Sequence, residues 1–248
     1  MKKITEHLNK YKIYLSDISM LRKGETSNTY VGMYKDKKVI IKNYKDINPK
    51  IKINSYLDYK IISQLVEKEI FPKVIFNEKE TKILVYEFVE EILNKKNNKI
   101  ISNLGSQIKK IHDILIEGRT YTFEDQIEKY KFIIGDKLKI DFRNLEALIF
   151  KSKQYSQEIK FSHNDLNKNN IIYNKKAYFI DYEYASLNNI FCDISKVIRE
   201  YSFNDFEVDI LLGGYGIKNS QTVKDQIKIW TDINTLLDRI WTELMTTN

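Results

Sequence analysis

The sequence of 248 residues has few of the residues that cross-link or interrupt a chain: one cysteine, two prolines and eight glycines. Cys192 cannot form an internal disulfide, and it lies in the apolar run Ile190-Phe191-Cys192, where a buried thiol is common. A structure held together by disulfides is therefore excluded, and we expect a reducing, cytoplasmic environment.

Long hydrophobic runs are also absent. The first residues, MKKITEHLNKYKIYL, carry charge and polarity throughout, which is not the apolar core of a signal peptide. No stretch approaches the roughly 20 apolar residues that span a bilayer. We expect a soluble chain with no membrane partner.

The excess of positive charge is modest. Lys and Arg number 41 against 34 Asp and Glu, a net charge of +7. Such a balance is compatible with a polyanion partner, but the lysines are scattered and form no dense block. We interpret them as a solvated basic surface that at most attracts anionic nucleotides, and we expect no nucleic-acid partner. Nothing in the sequence indicates an oligomeric state.

No linker, low-complexity tract or internal repeat divides the chain, so its organisation is inferred from the type of element. The first part is strand-like around one helix, and the part after residue 90 is mostly helical apart from one hairpin. The predicted strands are 29–34, 38–42, 82–88, 171–173 and 178–180, and the predicted helices are 54–68, 101–115, 123–159 and most of 193–248. The pattern predicts an α+β fold with an antiparallel-sheet N-terminal lobe (1–90), a larger helical C-terminal lobe (91–248), and a ligand cleft between them.

Three oxygen-bearing side chains stand around one loop and the predicted hairpin. They are Asp165, Asn170 and Asp181. Phosphoryl transfer from ATP needs a base for the acceptor hydroxyl and oxygen ligands for magnesium. Antiparallel strands with a tight turn bring their outer ends together, so Asn170 and Asp181 can face one metal. Each residue alone would be read as a cap or turn former, but the spacing favours Asp165 as catalytic base with Asn170 and Asp181 as Mg²⁺ ligands.

The same stretch resembles a known family. His163-Asn164-Asp165-Leu166 with Asn170, then Ile180-Asp181-Tyr182-Glu183-Tyr184-Ala185, then Asn189 and Asp193-Ile194, is similar to the choline/ethanolamine kinase branch of the aminoglycoside-phosphotransferase-like, protein-kinase-like superfamily. Weaker likeness extends over residues 20 to 245. The resemblance implies a two-lobe protein-kinase-like fold. In it the N-terminal lobe binds the nucleotide, and the C-terminal lobe carries the catalytic and substrate-binding residues.

The resemblance also implies nucleotide-binding positions. Gly24-Glu25-Thr26-Ser27-Asn28-Thr29-Tyr30 is similar to the phosphate loop, although a plain hairpin turn is an alternative. Lys42 stands where the family keeps the lysine that pairs with the α- and β-phosphates, and Asp58 is the acidic residue that the next helix offers it. The connector between the lobes would hold adenine. The implied nucleotide-binding residues are Asn28, Lys42, Asp58, Glu87, Phe88 and Val89.

Three further polar residues are read as structural support. His163 would brace the catalytic loop, and Asp193 would accept hydrogen bonds from its backbone, with a helix N-cap as the alternative for Asp193. His112 belongs to a helix resembling one of the family and is read as a packing or hydrogen-bonded core histidine.

Choline is a quaternary ammonium with one hydroxyl, so its pocket should combine aromatic faces with carboxylates. The candidates are Glu183, Tyr184, Tyr201 (with Glu200), Trp230 and Trp241, although aromatic residues of C-terminal helices are often only core. The family segment carries two tryptophans, and here Leu237 replaces one while Trp241 matches the other.

We therefore predict a kinase that transfers the γ-phosphate of ATP to choline to give phosphocholine. The alternatives are a kinase of the same fold for ethanolamine, thiamine, an aminoglycoside or another cationic amino alcohol, or a catalytically silent nucleotide-binding module. Mg²⁺ and ATP are the expected cofactors.

Overall fold

The computed structural model describes residues 2–24, 26–45, 59–92, 97–117 and 122–246. The chain divides into two compact units, Met1–Glu90 and Glu91–Asn248. In the first unit the elements are α1 (Lys2–Lys10), β1 (Ser16–Lys23), β2 (Ser27–Tyr34), β3 (Lys37–Tyr44), α2 (Tyr59–Glu67), β4 (Val74–Glu78) and β5 (Ile83–Glu87).

The strands of the first unit form one antiparallel sheet in the order β1-β2-β3-β5-β4. Lys35 and Asp36, both with positive φ, form the tight turn between β2 and β3. Asp and Asn tolerate this region better than most residues, and two-residue hairpin turns require it. The hairpin joins β2 to the central strand β3 through local pairing alone.

One face of this sheet is covered by α1. Ile4 and Leu8 of that helix are buried in one cluster with sheet residues that include Val39 and Ile41. Because successive side chains of a strand point to opposite faces, Ile40 and Lys42 belong to the other face of β3. Lys42 is only 5% exposed, so its aliphatic stem is part of the packed sheet.

The second unit is mostly helical. Its elements are α3 (Asn98–His112), α4 (Phe123–Ile134), a 3₁₀ turn (Gly135–Leu138), α5 (Lys139–Ser152), β6 (Ile159–Ser162), a 3₁₀ turn (Lys168–Asn170), β7 (Ile171–Asn174), β8 (Lys176–Phe179), a 3₁₀ turn (Tyr182–Tyr184), β9 (Ser186–Asn189), α6 (Phe191–Tyr201), α7 (Asp205–Tyr215) and α8 (Gln221–Thr246). The 26-residue helix α8 packs against α4, α5 and α6, while α3 packs against α7.

Two helices of this unit begin at capping boxes that the sequence carries. The Thr122 hydroxyl accepts from the Asp125 backbone N–H at the start of α4, and Asn204 does the same for Glu207 at the start of α7. Each pair satisfies backbone donors that a helix start leaves open. Helix α7 ends at Gly216, whose φ of 96° suits the left-handed cap position.

Two short antiparallel pairs, β6–β9 and β7–β8, lie among these helices. The predicted hairpin corresponds to β7–β8, with Lys175 at positive φ in its turn. The strands β6 and β9 were not predicted, and the predicted helix 123–159 is divided. Gly135 takes a φ of 61° at the end of α4, which stops the helix before α5 begins.

The start of the predicted helix 54–68 lies in part outside the described residues, and α2 forms its second half. Helix α1 was not predicted either. No helix within the described ranges is long and apolar enough to cross a membrane.

Candidate active site

The two predicted magnesium ligands lie at the open end of the β7–β8 hairpin. Ile171 pairs with Phe179 at the last rung, and the Ile180 backbone N–H then donates to the Asn170 carbonyl at 3.0 Å. Asn170 immediately precedes β7, and Asp181 follows the end of β8. Asp181 takes a left-handed backbone conformation with φ of 69°, a region in which Asp is more common than most residues. The hairpin therefore holds the backbone of Asn170 beside Ile180, the residue that precedes Asp181.

Asp165 is joined directly to Asn170. The Asn170 Nδ2 donates to the Asp165 Oδ2 at 2.8 Å and to the Asp165 backbone carbonyl at 2.9 Å. A second amide, Asn167, donates to the same Oδ2 at 3.0 Å. Two amide donors on one oxygen restrain the orientation of the carboxylate. The predicted base and one predicted metal ligand thus form one hydrogen-bonded unit.

The surroundings of Asp165 act on the pKa of its carboxyl in opposite directions. Burial raises the pKa of the Asp165 carboxyl, while the positive charge of Lys196, the proximity of His163 and the hydrogen bond from Asn167 oppose that rise. Lys196 is itself buried and forms an ion pair with Asp238 at 2.7 Å. A carboxyl with a raised pKa is a better proton acceptor than an ordinary aspartate.

The loop that carries Asp165 is braced by a buried acid. Asp193 accepts from the backbone N–H of His163 and of Asn164, both at 2.8 Å, and lies 3.1 Å from His112 Nε2. His112 is 2% exposed and also contacts the Tyr215 hydroxyl at 2.7 Å, so it is a hydrogen-bonded core residue.

His163 supports the loop from the other side. It is fully buried, and its Nε2 lies 2.9 Å from the Ile180 carbonyl, one residue before Asp181. Its ring packs on Tyr182 with centroids 4.3 Å apart. The histidine therefore connects the loop of Asp165 with the segment of Asp181.

The β7–β8 hairpin is further held by two side chains of α3 that were not predicted. Asn103 Oδ1 accepts from the Ala177 N–H at 3.0 Å, and Gln107 Nε2 donates to the Ala177 carbonyl at 2.9 Å. Residues at i and i+4 lie on one helix face, so the two amides bracket one residue of β8 as a neighbouring strand would. The spacing of four residues between Asn103 and Gln107 on one helix was the signal in the sequence that could have indicated this contact.

Aromatic side chains lie next to this centre. Tyr184 meets Trp241 edge to face with centroids 5.2 Å apart, and Tyr130 lies 6.2 Å from Trp241. Burial raises the pKa of the Tyr184 hydroxyl well above its ordinary value, and so do the negative charges of Glu183, Asp165 and Asp181. Glu183 is 8% exposed. Tyr130 was not predicted, because only the fold of α4 against α8 brings it to Trp241.

The other two aromatic candidates lie elsewhere in this unit. Trp230 is 3% exposed and packs on Phe123, 5.7 Å between ring centroids, which favours the core interpretation. Tyr201 ends α6, stacks on Phe203 and has the Lys168 ammonium 5.5 Å above its ring. Tyr201 therefore contacts the loop of Asp165 through Lys168, and among the described side chains its ring does not meet that of Trp241.

The predicted nucleotide-binding residues belong to the first unit. Lys42 is near-buried on β3 with its ammonium 5.1 Å from the Tyr44 ring, and Asn28 lies on β2 with its Oδ1 buried and without a hydrogen-bond partner among the described residues. The turn before Asn28 is closed by the Gly24 N–H, which donates to the Ser27 carbonyl at 2.9 Å. Asp58 lies outside the described residues.

Glu87 ends β5, and its carboxylate pairs with Lys37 at 3.0 Å. The Phe88 N–H donates to the Lys38 carbonyl at 3.0 Å, and the Lys38 ammonium lies 4.0 Å from the Phe88 ring. Val89 follows and is half-buried. A role of this segment in binding adenine stays a prediction.

A cleft of about 580 Å³ opens elsewhere in the second unit, between the end of α7 and the start of α8. Its lining includes Asp209, Lys218 and Lys224 and none of the predicted site residues. The chemistry argued above is therefore not located in that cleft.

Comparison with known proteins gives a family and a fold. The family model for choline/ethanolamine kinase matches residues 18–228. A Mycoplasma capricolum protein named a LicA homolog is 27% identical over 173 residues, a match that covers 66% of this chain and 66% of that protein.

Solved structures agree with the fold. Choline kinase LicA from Streptococcus pneumoniae superposes with a TM-score of 0.79 at 19% identity, covering 100% of this chain and 91% of that chain. A spectinomycin phosphotransferase, APH(9)-Ia, in complex with ADP and spectinomycin, superposes with a TM-score of 0.64 at 17% identity, covering 96% and 88%. The predicted α+β, protein-kinase-like fold is thus confirmed.

The family model spans most of the sequence, and the fold is shared with kinases of this kind. The chain therefore belongs to the choline/ethanolamine kinase family, a family of phosphotransferases that act on an alcohol group.

Proposed function

We propose that this small-molecule kinase transfers the γ-phosphoryl group of ATP to the hydroxyl of choline, giving phosphocholine and ADP. The observation that carries the proposal is the hydrogen-bonded pair of Asp165 and Asn170 at the open end of the hairpin that leads to Asp181. A proton acceptor and oxygen ligands in one place are the parts that phosphoryl transfer requires. A cytoplasmic location stays a prediction from the single buried cysteine.

The residues present fit a magnesium ion. The Asn170 Nδ2 is engaged with Asp165, which leaves the amide oxygen as its acceptor, and Asp181 supplies a carboxylate. Mg²⁺ prefers such oxygen ligands and usually takes only one or two from the protein, beside water and substrate phosphates. When bound, the ion would neutralise charge on the phosphates.

The reaction assigns one role to Asp165. Its Oδ2 is held by Asn167 and Asn170, so the carboxylate can present Oδ1 to the acceptor hydroxyl. The hydroxyl oxygen forms a bond to the γ-phosphorus as the bond from that phosphorus to the β–γ bridging oxygen breaks. The hydroxyl proton passes to Asp165, and ADP leaves with the bridging oxygen. In this proposal Lys42 pairs with the α- and β-phosphates, the role that a strand lysine has in kinases of this kind.

Choline fits the charge and the aromatic surface near Tyr184. A quaternary ammonium has no N–H to donate, so aromatic faces and nearby negative charge provide its recognition. Tyr184, Trp241 and Tyr130 supply the rings, and the carboxylates that raise the pKa of Tyr184 make the same region negative. Leu237 in place of a second tryptophan leaves ethanolamine as the second candidate, because a primary ammonium can also be held by hydrogen bonds to carboxylates.

The acceptor is tested by a panel. Choline, ethanolamine, thiamine and kanamycin are incubated separately with the protein, ATP and Mg²⁺, and ADP release is followed together with the mass of the product. We expect the highest kcat/KM for choline and a product heavier by one phosphoryl group. A product from another acceptor with none from choline would reject choline and keep the kinase, and no product from any acceptor would favour the silent nucleotide-binding module.

The base is tested by Asp165→Asn. The amide keeps the shape of the side chain but cannot take up the hydroxyl proton, so kcat should fall by about 10²- to 10⁴-fold. Asp113→Asn is the matched control, because Asp113 is an exposed carboxylate whose pairing with Lys109 lies on the surface of α3. Equal kcat values for the two variants would remove Asp165 from the reaction.

A further inference from the structure

Asn164 occupies a position that is separate from the proposed chemistry but adjacent to it. It stands between the end of β6 and Asp165, with a left-handed backbone conformation at φ 64°. Its backbone N–H donates to Asp193 at 2.8 Å, which fixes the main chain. The backbone is therefore held by one residue, and the side chain has contacts of its own.

The Asn164 side chain uses both ends of its amide. Nδ2 donates to the Tyr184 carbonyl at 2.9 Å and to the Ser186 hydroxyl at 2.7 Å, and Oδ1 accepts from Asn188 Nδ2 at 2.9 Å. Ser186 is 0% exposed and Asn188 is 3% exposed. Buried polar groups satisfied in this way hold one arrangement, because breaking the network leaves donors or acceptors unpaired.

These side-chain hydrogen bonds extend the contact between β6 and β9 beyond the last backbone pair of the two strands. Strands β6 and β9 pair from Ile159 with Asn189 to Ser162 with Ser186, and the pairing ends there. Beyond it, the Asn164 side chain links the β6 end to Tyr184. At one end of this link, Asp165 follows Asn164 directly in the chain. At the other end, Tyr184 carries the ring that meets Trp241.

We propose that Asn164 is a positioning residue that sets the distance between Asp165 and the aromatic wall formed by Tyr184 and Trp241, and so determines how the acceptor hydroxyl is aligned with the base. This inference rests on the proposed function. It concerns the acceptor more directly than the nucleotide, because the Asn164 side chain contacts Tyr184, whereas the hairpin that carries Asn170 and Asp181 at its open end is also held by its own strand pairing and by the amides of Asn103 and Gln107.

Asn164→Gly removes the side chain with little cost to the backbone, since glycine adopts positive φ readily. The matched control is Asn169→Gly, which makes the same exchange at an exposed position of the same loop. Both variants are compared with the unaltered chain by thermal unfolding, followed by steady-state kinetics with choline and with ATP varied in turn.

Loss of the Asn164 hydrogen bonds should raise the KM for choline about tenfold and lower kcat, with the KM for ATP within about twofold of the unaltered chain. Asn169→Gly should change neither constant. A merely structural role would lower the melting temperature and alter both KM values alike, and that result, or no change in either, would overturn the inference.

If Asn164→Gly does not fold, Ser186→Ala gives the second test. It removes one of the two acceptors of Asn164 Nδ2 and leaves the Tyr184 carbonyl in place. A smaller rise in the KM for choline with an unchanged KM for ATP supports the inference, and parallel changes in both constants contradict it.

A spectroscopic measurement decides the point without catalysis. The chain has two tryptophans, so in a Trp230→Phe background the fluorescence comes from Trp241 alone, next to Tyr184. Adding Asn164→Gly should shift its emission to longer wavelength and increase acrylamide quenching, whereas adding Asn169→Gly should not. Unchanged emission would show that Asn164 does not hold this wall. If no acceptor is phosphorylated at all, the proposed function fails, while this comparison still tests Asn164.

Discussion

Asp193 is fully buried, and its two carboxylate oxygens accept from backbone N–H groups of the loop before Asp165. Burial by itself raises the pKa of Asp193, but the hydrogen bond and charge interaction with His112, together with the contacts to His163, lower the pKa below its ordinary value. A carboxyl with a depressed folded-state pKa contributes stability above its unfolded pKa of about 3.9, and that stability is lost as the pH falls through the folded value.

Asp193→Asn should therefore lower the free energy of unfolding by about 3 kcal/mol at pH 7, because His112 and the loop lose a buried charged acceptor. The difference from the unaltered chain should shrink as the pH falls below about 4. Urea unfolding at several pH values measures both effects. The exposed control Asp113→Asn should change stability by less than about 1 kcal/mol, and a loss for Asp193→Asn that is constant with pH would contradict the account.

The two tryptophans of α8 are expected to differ in what they do. Trp241→Ala removes an aromatic face next to Tyr184 and should raise the KM for choline about tenfold, since a desolvated cation–π contact contributes up to about 2 kcal/mol. Trp230→Ala removes a nearly buried side chain and should instead destabilise the fold by about 3–5 kcal/mol. Kinetics and thermal unfolding of both variants separate the effects. A rise in the KM for choline in Trp230→Ala alone would reverse this assignment.

Individual site residues could be predicted where their spacing in the sequence is short. Asp165, Asn170 and Asp181 stand within one loop and one hairpin, so their proximity follows from short-range geometry. Tyr130 could not be predicted in the same way, because its contact with Trp241 depends on two helices far apart in sequence. Asn164 was visible as part of a motif, but its contacts depend on β9.

The crossing of α3 and α7 is a close contact of two helix backbones. A Cβ on Gly105 would lie 2.1 Å from the Leu211 carbonyl oxygen, and a Cβ on Gly214 would lie 2.1 Å from the Ser102 carbonyl oxygen. Real Cβ atoms do not approach backbone oxygens so closely, so both positions require glycine for space. Helix α3 carries Asn103 and Gln107, and the crossing therefore supports the helix that holds the β7–β8 hairpin.

Gly214→Ala should destabilise the protein by about 2–3 kcal/mol or more, because one of the two helices must shift. Its neighbour gives a matched control, since a Cβ on Gly213 meets no atom within 4 Å. Gly213→Ala should be neutral or stabilise α7 by up to about 1 kcal/mol, because alanine has the higher helix propensity. Thermal or urea unfolding of the two variants measures the difference, and equal stabilities would show that the helices are not in close contact.

Elements with local signals were predicted more accurately than elements that depend on distant partners. The hairpin β7–β8 follows from two apolar runs and a polar turn, and β2, β3 and β5 from β-rich segments. The pair β6–β9 was missed because the partner of each strand lies beyond the β7–β8 hairpin in the sequence, so that no local turn signals the pairing. The break at Gly135 was missed because a single glycine in a helical pattern is often tolerated.

For the whole molecule, the net charge of +7 sets the expected behaviour toward polyanions. Positive and negative side chains are interspersed on the surface of the second unit, for example in the ion pairs of Lys109 with Asp113 and of Lys131 with Glu128. Scattered charges of this kind attract small anions without forming a groove for a duplex.

We therefore expect weak, non-specific binding of double-stranded DNA that disappears as salt rises from about 50 to about 200 mM, since phosphate contacts release counterions. Fluorescence anisotropy of a labelled duplex at both salt concentrations measures it. Retention of tight binding at the higher concentration would indicate a nucleic-acid site that the charge distribution does not reveal.

The one cysteine of the molecule is buried in α6, and burial raises the pKa of the Cys192 thiol well above its ordinary value. Its thiolate is therefore scarce and shielded at neutral pH. A cysteine introduced at an exposed position such as Asp136, whose side chain is 94% exposed, would react with a maleimide far ahead of Cys192. Fluorophores or spin labels can thus be attached at chosen positions without first altering the native sequence.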